Sequence, residues 1–234
     1  MGVNLSASRL TVPTPPDHRY LVVEGPIGVG KTTLARRLAE TFGAEPLLEQ
    51  ADENPFLERF YRDPRHNALP TQLFFLFQRA RALAGLKQGE LFQPVRISDY
   101  LFAKDRIFAQ LTLESDELAL YDQVYERLAV GLPNPDLVVY LQAPPEVLAR
   151  RVARRNIGYE QLMRREYLEQ VVAAYAHFFH HYDDSPLLIV NASEINPLER
   201  KEDYENLVRE IGKVRAGRHF FNPSPAAAPF ETLA

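Results

Sequence analysis

The chain has no cysteine in 234 residues. A disulfide framework and a thiolate metal site are therefore excluded. It has no apolar stretch near the ~20 residues that cross a bilayer; the densest run, Leu73-Phe74-Phe75-Leu76-Phe77, is far shorter. It has no surplus of positive charge, with 27 Lys+Arg against 31 Asp+Glu and a net charge of −4. Nothing global thus points to nucleic acid or an anionic membrane as partner. It has no basic start followed by an apolar segment, so no secretory signal is expected and a cytoplasmic location is. It also lacks the Asn-Lys-x-Asp and Asp-x-x-Gly strings that a guanine-nucleotide switch requires. The 46% hydrophobic and 25% charged composition suits one sizeable α/β core and is short for two domains.

What is present is more specific. Gly25-Pro26-Ile27-Gly28-Val29-Gly30-Lys31-Thr32 reads G-x-x-x-x-G-K-T, and Thr33 follows. The apolar run Tyr20-Leu21-Val22-Val23 leads in as a buried strand, and an amphipathic stretch to Phe42 leads out as a helix. Strand, glycine loop and helix together make this a phosphate-binding P-loop. Its glycines let backbone N–H groups and the helix N-terminus face anionic oxygens. Lys31 is placed to reach the outer phosphates of ATP and the Thr32 hydroxyl to ligate Mg²⁺.

Apolar runs alternate with helical stretches along residues 19–222. Strands are expected at 20–24, 46–50, 95–99, 137–142 and 187–191. Helices are expected at 31–42, 54–62, 70–88, 102–112, 115–130, 144–156, 160–182 and 199–215. This alternation predicts an α/β protein, a five-stranded parallel sheet flanked by helices; the P-loop makes it a fold of the P-loop nucleoside triphosphate hydrolase type, and the arginine-dense stretch 150–165 suggests an Arg-rich lid. Residues 1–18 and 223–234, rich in Pro, Ser, Thr and Ala, read as a disordered leader and tail. Ligands of such sheets bind beyond the carboxyl ends of the strands, which directs attention to the residues just after 24, 50, 99 and 142.

Glu49 closes the second expected strand and is a candidate proton acceptor for a kinase with an alcohol substrate, with Glu45, Asp52 and Glu53 as nearby competitors. Asp99 closes the third, in the position that holds magnesium. Arg150, Arg151, Arg154, Arg155, Arg164 and Arg165 fall together with no lysine among them. A helix would put Arg151 and Arg155 on one face at i, i+4, and their planar forks suit a transferring phosphoryl group. Tyr61 and Gln72 flank a proline-bounded turn (Asp63-Pro64, Leu69-Pro70). The Gln72 amide can read the edge of a base, with Phe74, Phe75 and Phe77 following it, but from these residues alone a core helix with one satisfied polar side chain is the better account.

Four blocks, in order and at matching spacing, resemble the deoxynucleoside kinases. They are Glu24 to Thr33, Glu49-Gln50-Ala51-Asp52-Glu53-Asn54-Pro55-Phe56-Leu57 running on to Phe60-Tyr61, Thr71-Gln72-Leu73-Phe74-Phe75-Leu76-Phe77-Gln78-Arg79, and Arg151-Val152-Ala153-Arg154-Arg155-Asn156-Ile157-Gly158-Tyr159-Glu160. The resemblance implies transfer of the ATP γ-phosphoryl group to the 5′-hydroxyl of a deoxyribonucleoside, with Mg²⁺, by a homodimer. It implies that Glu49 takes the 5′-hydroxyl proton and that Tyr61 and Glu160 hold the 3′-hydroxyl. Gln72 pairs with the base beside Arg79, and Arg151 and Arg155 act on the phosphates. Two departures stand out. The family's acid-Arg-Ser triplet after the third strand is here Ser98-Asp99-Tyr100, with Lys104 and Arg106 as candidates for the missing charge. A third lid arginine is replaced by Ile157. Within enzymes, a thymidylate-like nucleoside monophosphate kinase is the competing reading, and a catalytically weak nucleotide-binding paralogue is the other.

Overall fold

The computed structural model describes residues 18–85, 95–193 and 200–222. The expected leader apart from His18, the tail over 223–234, residues 86–88 of one expected helix and residue 199 of another lie outside these. The element order is β1 (Tyr20–Glu24), α1 (Lys31–Phe42), β2 (Glu45–Leu47), a 3-10 turn (Ala51–Glu53), α2 (Leu57–Arg62), α3 (Pro64–Ala84), β3 (Arg96–Ser98), a second 3-10 turn (Phe102–Lys104), α4 (Asp105–Thr112), α5 (Ser115–Ala129), β4 (Leu137–Gln142), α6 (Pro145–Arg155), a third 3-10 turn (Gly158–Leu162), α7 (Arg165–His181), β5 (Leu187–Asn191), α8 (Lys201–Ile211) and β6 (Arg218–Phe221).

The strands form one sheet in the order β2-β3-β1-β4-β5-β6, and every pairing is parallel. β1 is central, and every one of its residues is buried. Alternate residues serve opposite faces. Leu21, Val23, Val139 and Leu141 join α1 and α8 in one core. Tyr20, Val22, Val138 and Tyr140 join α4 and α7 in the other. Covering on both faces is what makes these strands continuous apolar runs. Chain direction from β1 diverges to β3 on one side and β4 on the other, which opens a crevice at the carboxyl edge.

Four expectations need correction. The sheet has six strands rather than five: β6, Arg-His-Phe-Phe, pairs with the outer side of β5. It is a short, largely exposed edge strand, so its residues show neither a continuous apolar run nor alternation. Helix α3 starts at Pro64 and runs through Pro70 instead of starting there. Proline removes one backbone donor, and burial of Ala68, Thr71 and Gln72 on either side holds the helix together. Finally, β2 ends at Leu47, so Glu49 sits in the loop beyond it, and α7 starts at Arg165, after the Gly158–Leu162 turn.

Candidate active site

The P-loop joins β1 to α1. Gly25, Gly28 and Gly30 have φ of 152°, 83° and 105°, a region that L side chains enter only with strain. Close packing adds a second requirement at two of them. A Cβ on Gly25 would lie 2.5 Å from the Leu141 carbonyl oxygen, and one on Gly28 would lie 2.7 Å from Val152 Cγ2. The loop therefore packs directly against β4 and α6. Pro26 and Val29 close a turn, with Val29 N–H donating to the Pro26 carbonyl at 3.2 Å. Gly30 caps α1, and Leu34 N–H donates to its carbonyl at 3.1 Å. Lys31 Nζ donates back to the carbonyls of Gly25 at 2.7 Å and Pro26 at 3.2 Å. Burial and the nearby Lys104 charge lower its pKa to about 8.

Thr32 Oγ1 donates to Asp99 Oδ2 at 2.5 Å, which brings a hydroxyl from the P-loop against a carboxylate from the end of β3. Hard oxygen donors of this kind fit magnesium, which keeps waters and phosphate oxygens as its other ligands. Among the described residues no group of three or more His, Cys, Asp or Glu could hold a metal by itself. The pair thus fits an ion that arrives with a nucleotide. Asp99 Oδ1 also accepts from the Glu49 backbone N–H at 2.7 Å, so one side chain ties the P-loop to the loop after β2.

Glu49 faces a cavity of about 530 Å³ at this edge, lined also by Lys31, Thr32, Tyr61, Gln72, Arg79, Lys104, Arg155, Tyr159 and Glu160. Its carboxylate is 19% exposed and pairs with Arg79, whose Nε donates to Glu49 Oε1 at 2.7 Å. Lys104 Nζ lies 3.4 Å from the same oxygen. Burial alone would raise the Glu49 pKa, but the Arg79 and Lys104 charges outweigh it and hold the carboxyl at about 2. Arg79 also pairs with Asp105, which has no exposed surface. Burial raises Asp105 to about 6 against the pull of Arg79 and Lys104. One of its oxygens, Oδ2, has no partner. Asp105 was missed by sequence reasoning. An aspartate in the first turn of a helix reads as a partner for the helix dipole, and only the packing of α3 on α4 reveals a buried acid.

On the far wall, Gln72 is buried on α3 and its Nε2 donates to Thr112 Oγ1 at 3.3 Å. The Tyr61 ring stacks on Tyr159 with centroids 5.9 Å apart. Tyr159 Oη donates to Asp52 Oδ1 at 2.9 Å, a link between the lid and the loop after β2 that spacing gave no reason to expect. Glu160 is buried and is paired with Arg155, whose Nε donates to Glu160 Oε2 at 3.1 Å. The two lid arginines have different surroundings. Arg155 lines the cavity, whereas Arg151 donates to the carbonyls of Val29 at 3.2 Å and Ala192 at 2.8 Å. Arg151 thus clamps the P-loop to the strand end beyond β5.

The two candidates for the missing charge after β3 also separate. Lys104 reaches the cavity. Arg106 is 44% exposed, pairs with Asp122 at 3.1 Å and lies over the Tyr125 ring.

This arrangement sets the P-loop and a carboxylate on one cavity, a layout that suits phosphoryl transfer to a bound alcohol. The family model described as deoxynucleoside kinase matches residues 21–215. A deoxyguanosine kinase of Bacillus subtilis is 31% identical over 201 residues, which span 82% of this chain and 95% of that protein. A deoxyadenosine/deoxycytidine kinase of the same organism is 27% identical over 209 residues, 85% of this chain and 94% of that protein. Among solved structures, a deoxyadenosine kinase from M. mycoides with bound dATP superposes with a TM-score of 0.71 at 24% identity, covering 83% of this chain and all of that one.

Proposed function

The chain belongs to the deoxynucleoside kinase family, and from that membership we propose that it transfers the γ-phosphoryl group of ATP to the 5′-hydroxyl of a deoxyribonucleoside. The observation that carries this reading is the Glu49 carboxylate, which faces the same cavity as the P-loop lysine. In the proposed step the 5′-oxygen attacks the γ-phosphorus and the bond from that phosphorus to the β,γ-bridging oxygen breaks. The hydroxyl proton passes to Glu49, and ADP departs. Residues Gly25 to Thr33 cradle the phosphates. Lys31 exchanges its own loop carbonyls for phosphate oxygens, and Arg155 adds charge from the lid. Arg151 acts by fixing the loop at Val29.

Thr32 and Asp99 would hold magnesium, which when bound supplies positive charge to the phosphate oxygens. Gln72 reads the base next to Arg79, and Tyr61 and Glu160 take the sugar 3′-hydroxyl. The low pKa of Glu49 keeps it ionised at every working pH. The same cations lower its strength as a base. A homodimer belongs to the same reading, supported by Phe77 on α3 and Leu120 on α5, both about half exposed. A cytoplasmic location fits the use of ATP. Among the described residues no helix is long and apolar enough to cross a membrane.

The test is product analysis with ATP, Mg²⁺, the four common deoxynucleosides and their monophosphates. Monophosphates should form from at least one deoxynucleoside, with kcat/KM well above that for any monophosphate acceptor. A carboxylate beside an incoming phosphate is unfavourable by ~1 kcal/mol or more at an effective dielectric near 20. Efficient diphosphate formation with nucleosides untouched would reassign the chain to the monophosphate kinases.

A further inference from the structure

Lys104 is 2% exposed, and lysine almost never sits so deep without partners. Its Nζ lies 3.4 Å from Glu49 Oε1 and 3.7 Å from Glu24 Oε2. Glu24 is fully buried at the end of β1 and already has three donors. Gly25 N–H and Leu101 N–H donate to it at 2.8 and 2.7 Å, and Tyr175 Oη donates at 3.1 Å. It is therefore a fixed counter-charge, out of reach of a substrate. It also anchors the start of the turn that bears Lys104, whose own N–H donates to the Leu101 carbonyl at 3.1 Å. The floor beneath Lys104 is the Tyr100 ring, its centroid 6.0 Å away. Tyr100 is turned into the core, with Ser98 Oγ bonded to both its N–H and its carbonyl.

The other cations lining the cavity differ. Lys31 belongs to the P-loop, and Arg36 is exposed on α1. Arg79 is shared between Glu49 and Asp105, and Arg155 is paired with Glu160. Lys104 alone among these joins a carboxylate of the acceptor side to a carboxylate rooted at the P-loop. Both contacts are longer than a tight charge-assisted hydrogen bond, and an ammonium has three donors.

We infer that Lys104 is the positioning residue of the transfer step. It holds the Glu49 carboxylate at the mouth of the P-loop and brings positive charge from the cavity wall to the point where acceptor oxygen and phosphoryl group meet. The inference rests on the kinase reading above. Bound from Glu24, this cation aligns Glu49 before either substrate arrives. It matters most when charge develops on the reacting oxygens, so it should affect kcat and leave binding nearly alone.

The test compares wild type, Lys104→Met and Lys104→Arg in steady-state turnover, ATP affinity and Tm. Lys104→Met should lower kcat about 10²-fold, the loss typical of one preorganised donor. Nucleoside KM and ATP Kd should stay within about threefold and Tm within a few degrees. Lys104→Arg should recover at least a tenth of the wild-type kcat. In Lys104→Ala, ethylammonium should restore turnover saturably. A wild-type kcat in Lys104→Met overturns the inference. So does a loss confined to KM or Tm, or an arginine variant no better than the methionine one with no rescue by the amine. Wild type inert toward every deoxynucleoside would instead sink the kinase reading, which keeps the two failures distinct.

Discussion

The P-loop wall of the cavity and the wall that faces it are built in opposite ways. The P-loop wall is one consecutive stretch, Gly25 to Thr33, joined from elsewhere by Asp99 and Arg155, and its own geometry is set by backbone conformation and by close packing on Leu141 and Val152. The wall facing it comes from five places: Glu49 beyond β2, Tyr61 on α2, Gln72 and Arg79 on α3, Lys104 before α4, and Glu160 in the lid. They are held by ion pairs and hydrogen bonds between side chains. A backbone site tolerates change at few positions but fails there for steric reasons. A side-chain site tolerates shape changes and responds to the loss of single charges or amides.

Glu49→Gln should give the largest break in this contrast. The amide preserves shape but accepts no proton, so kcat should fall ~10²–10⁴-fold, with ATP Kd nearly unchanged because the P-loop is untouched. Rapid-quench turnover paired with ATP titration reads both. A variant with wild-type kcat removes Glu49 from the reaction and turns attention to Asp52 or Glu53.

Gly28→Ala tests the other side. The added methyl meets Val152 Cγ2 at 2.7 Å and the Leu148 carbonyl at 3.1 Å, at φ +83°. Left-handed strain of ~1–2 kcal/mol plus a shift of α6 should weaken ATP at least tenfold and spare nucleoside binding. Equal weakening of both ligands would show that the two sides are not separable.

Gln72→Ala should raise nucleoside KM by roughly tenfold, the cost of leaving a buried base edge without its amide partner. KM for ATP should hold. An unchanged nucleoside KM would mean that the base lies elsewhere.

The last of these predictions concerns pH. Lys31, at about 8 in the free protein, loses its ammonium charge as pH rises past that value. ATP affinity should be flat below pH 8 and then weaken by up to about tenfold per pH unit, until the pKa of the ATP-bound form is reached. Calorimetric titration across pH 6.5–9.5 would show this. Affinity that stays flat through pH 9.5 would mean that Lys31 does not meet the phosphates.

The same contrast governs what could be read before the fold was known. The P-loop was legible because its requirements are local: glycine where φ is positive, a buried strand before, a helix after. The sheet strands with two covered faces were legible as apolar runs, and β6 was not, since Arg218 to Phe220 are exposed on an edge. Glu49 was recognisable as a carboxylate near a strand end, though Glu45, Asp52 and Glu53 offered the same chemistry. Asp105 and Glu24 gave no signal of burial. Lys104 and Arg106 were equivalent candidates along the chain, and the 3-10 turn set one at the cavity while α4 turned the other toward Asp122.

The sequence by itself determined the P-loop, the α/β architecture and the family, because backbone conformation and strand burial are written in neighbouring residues. Only the tertiary structure decided that Glu49 sits between Arg79 and Lys104, that Asp105 shares Arg79, and that Arg151 clamps the loop while Arg155 lines the cavity. The physical reason is range. Coulombic and hydrogen-bond partners act across a few ångströms of space, and those ångströms separate residues such as Glu24 and Lys104 that lie far apart in the chain.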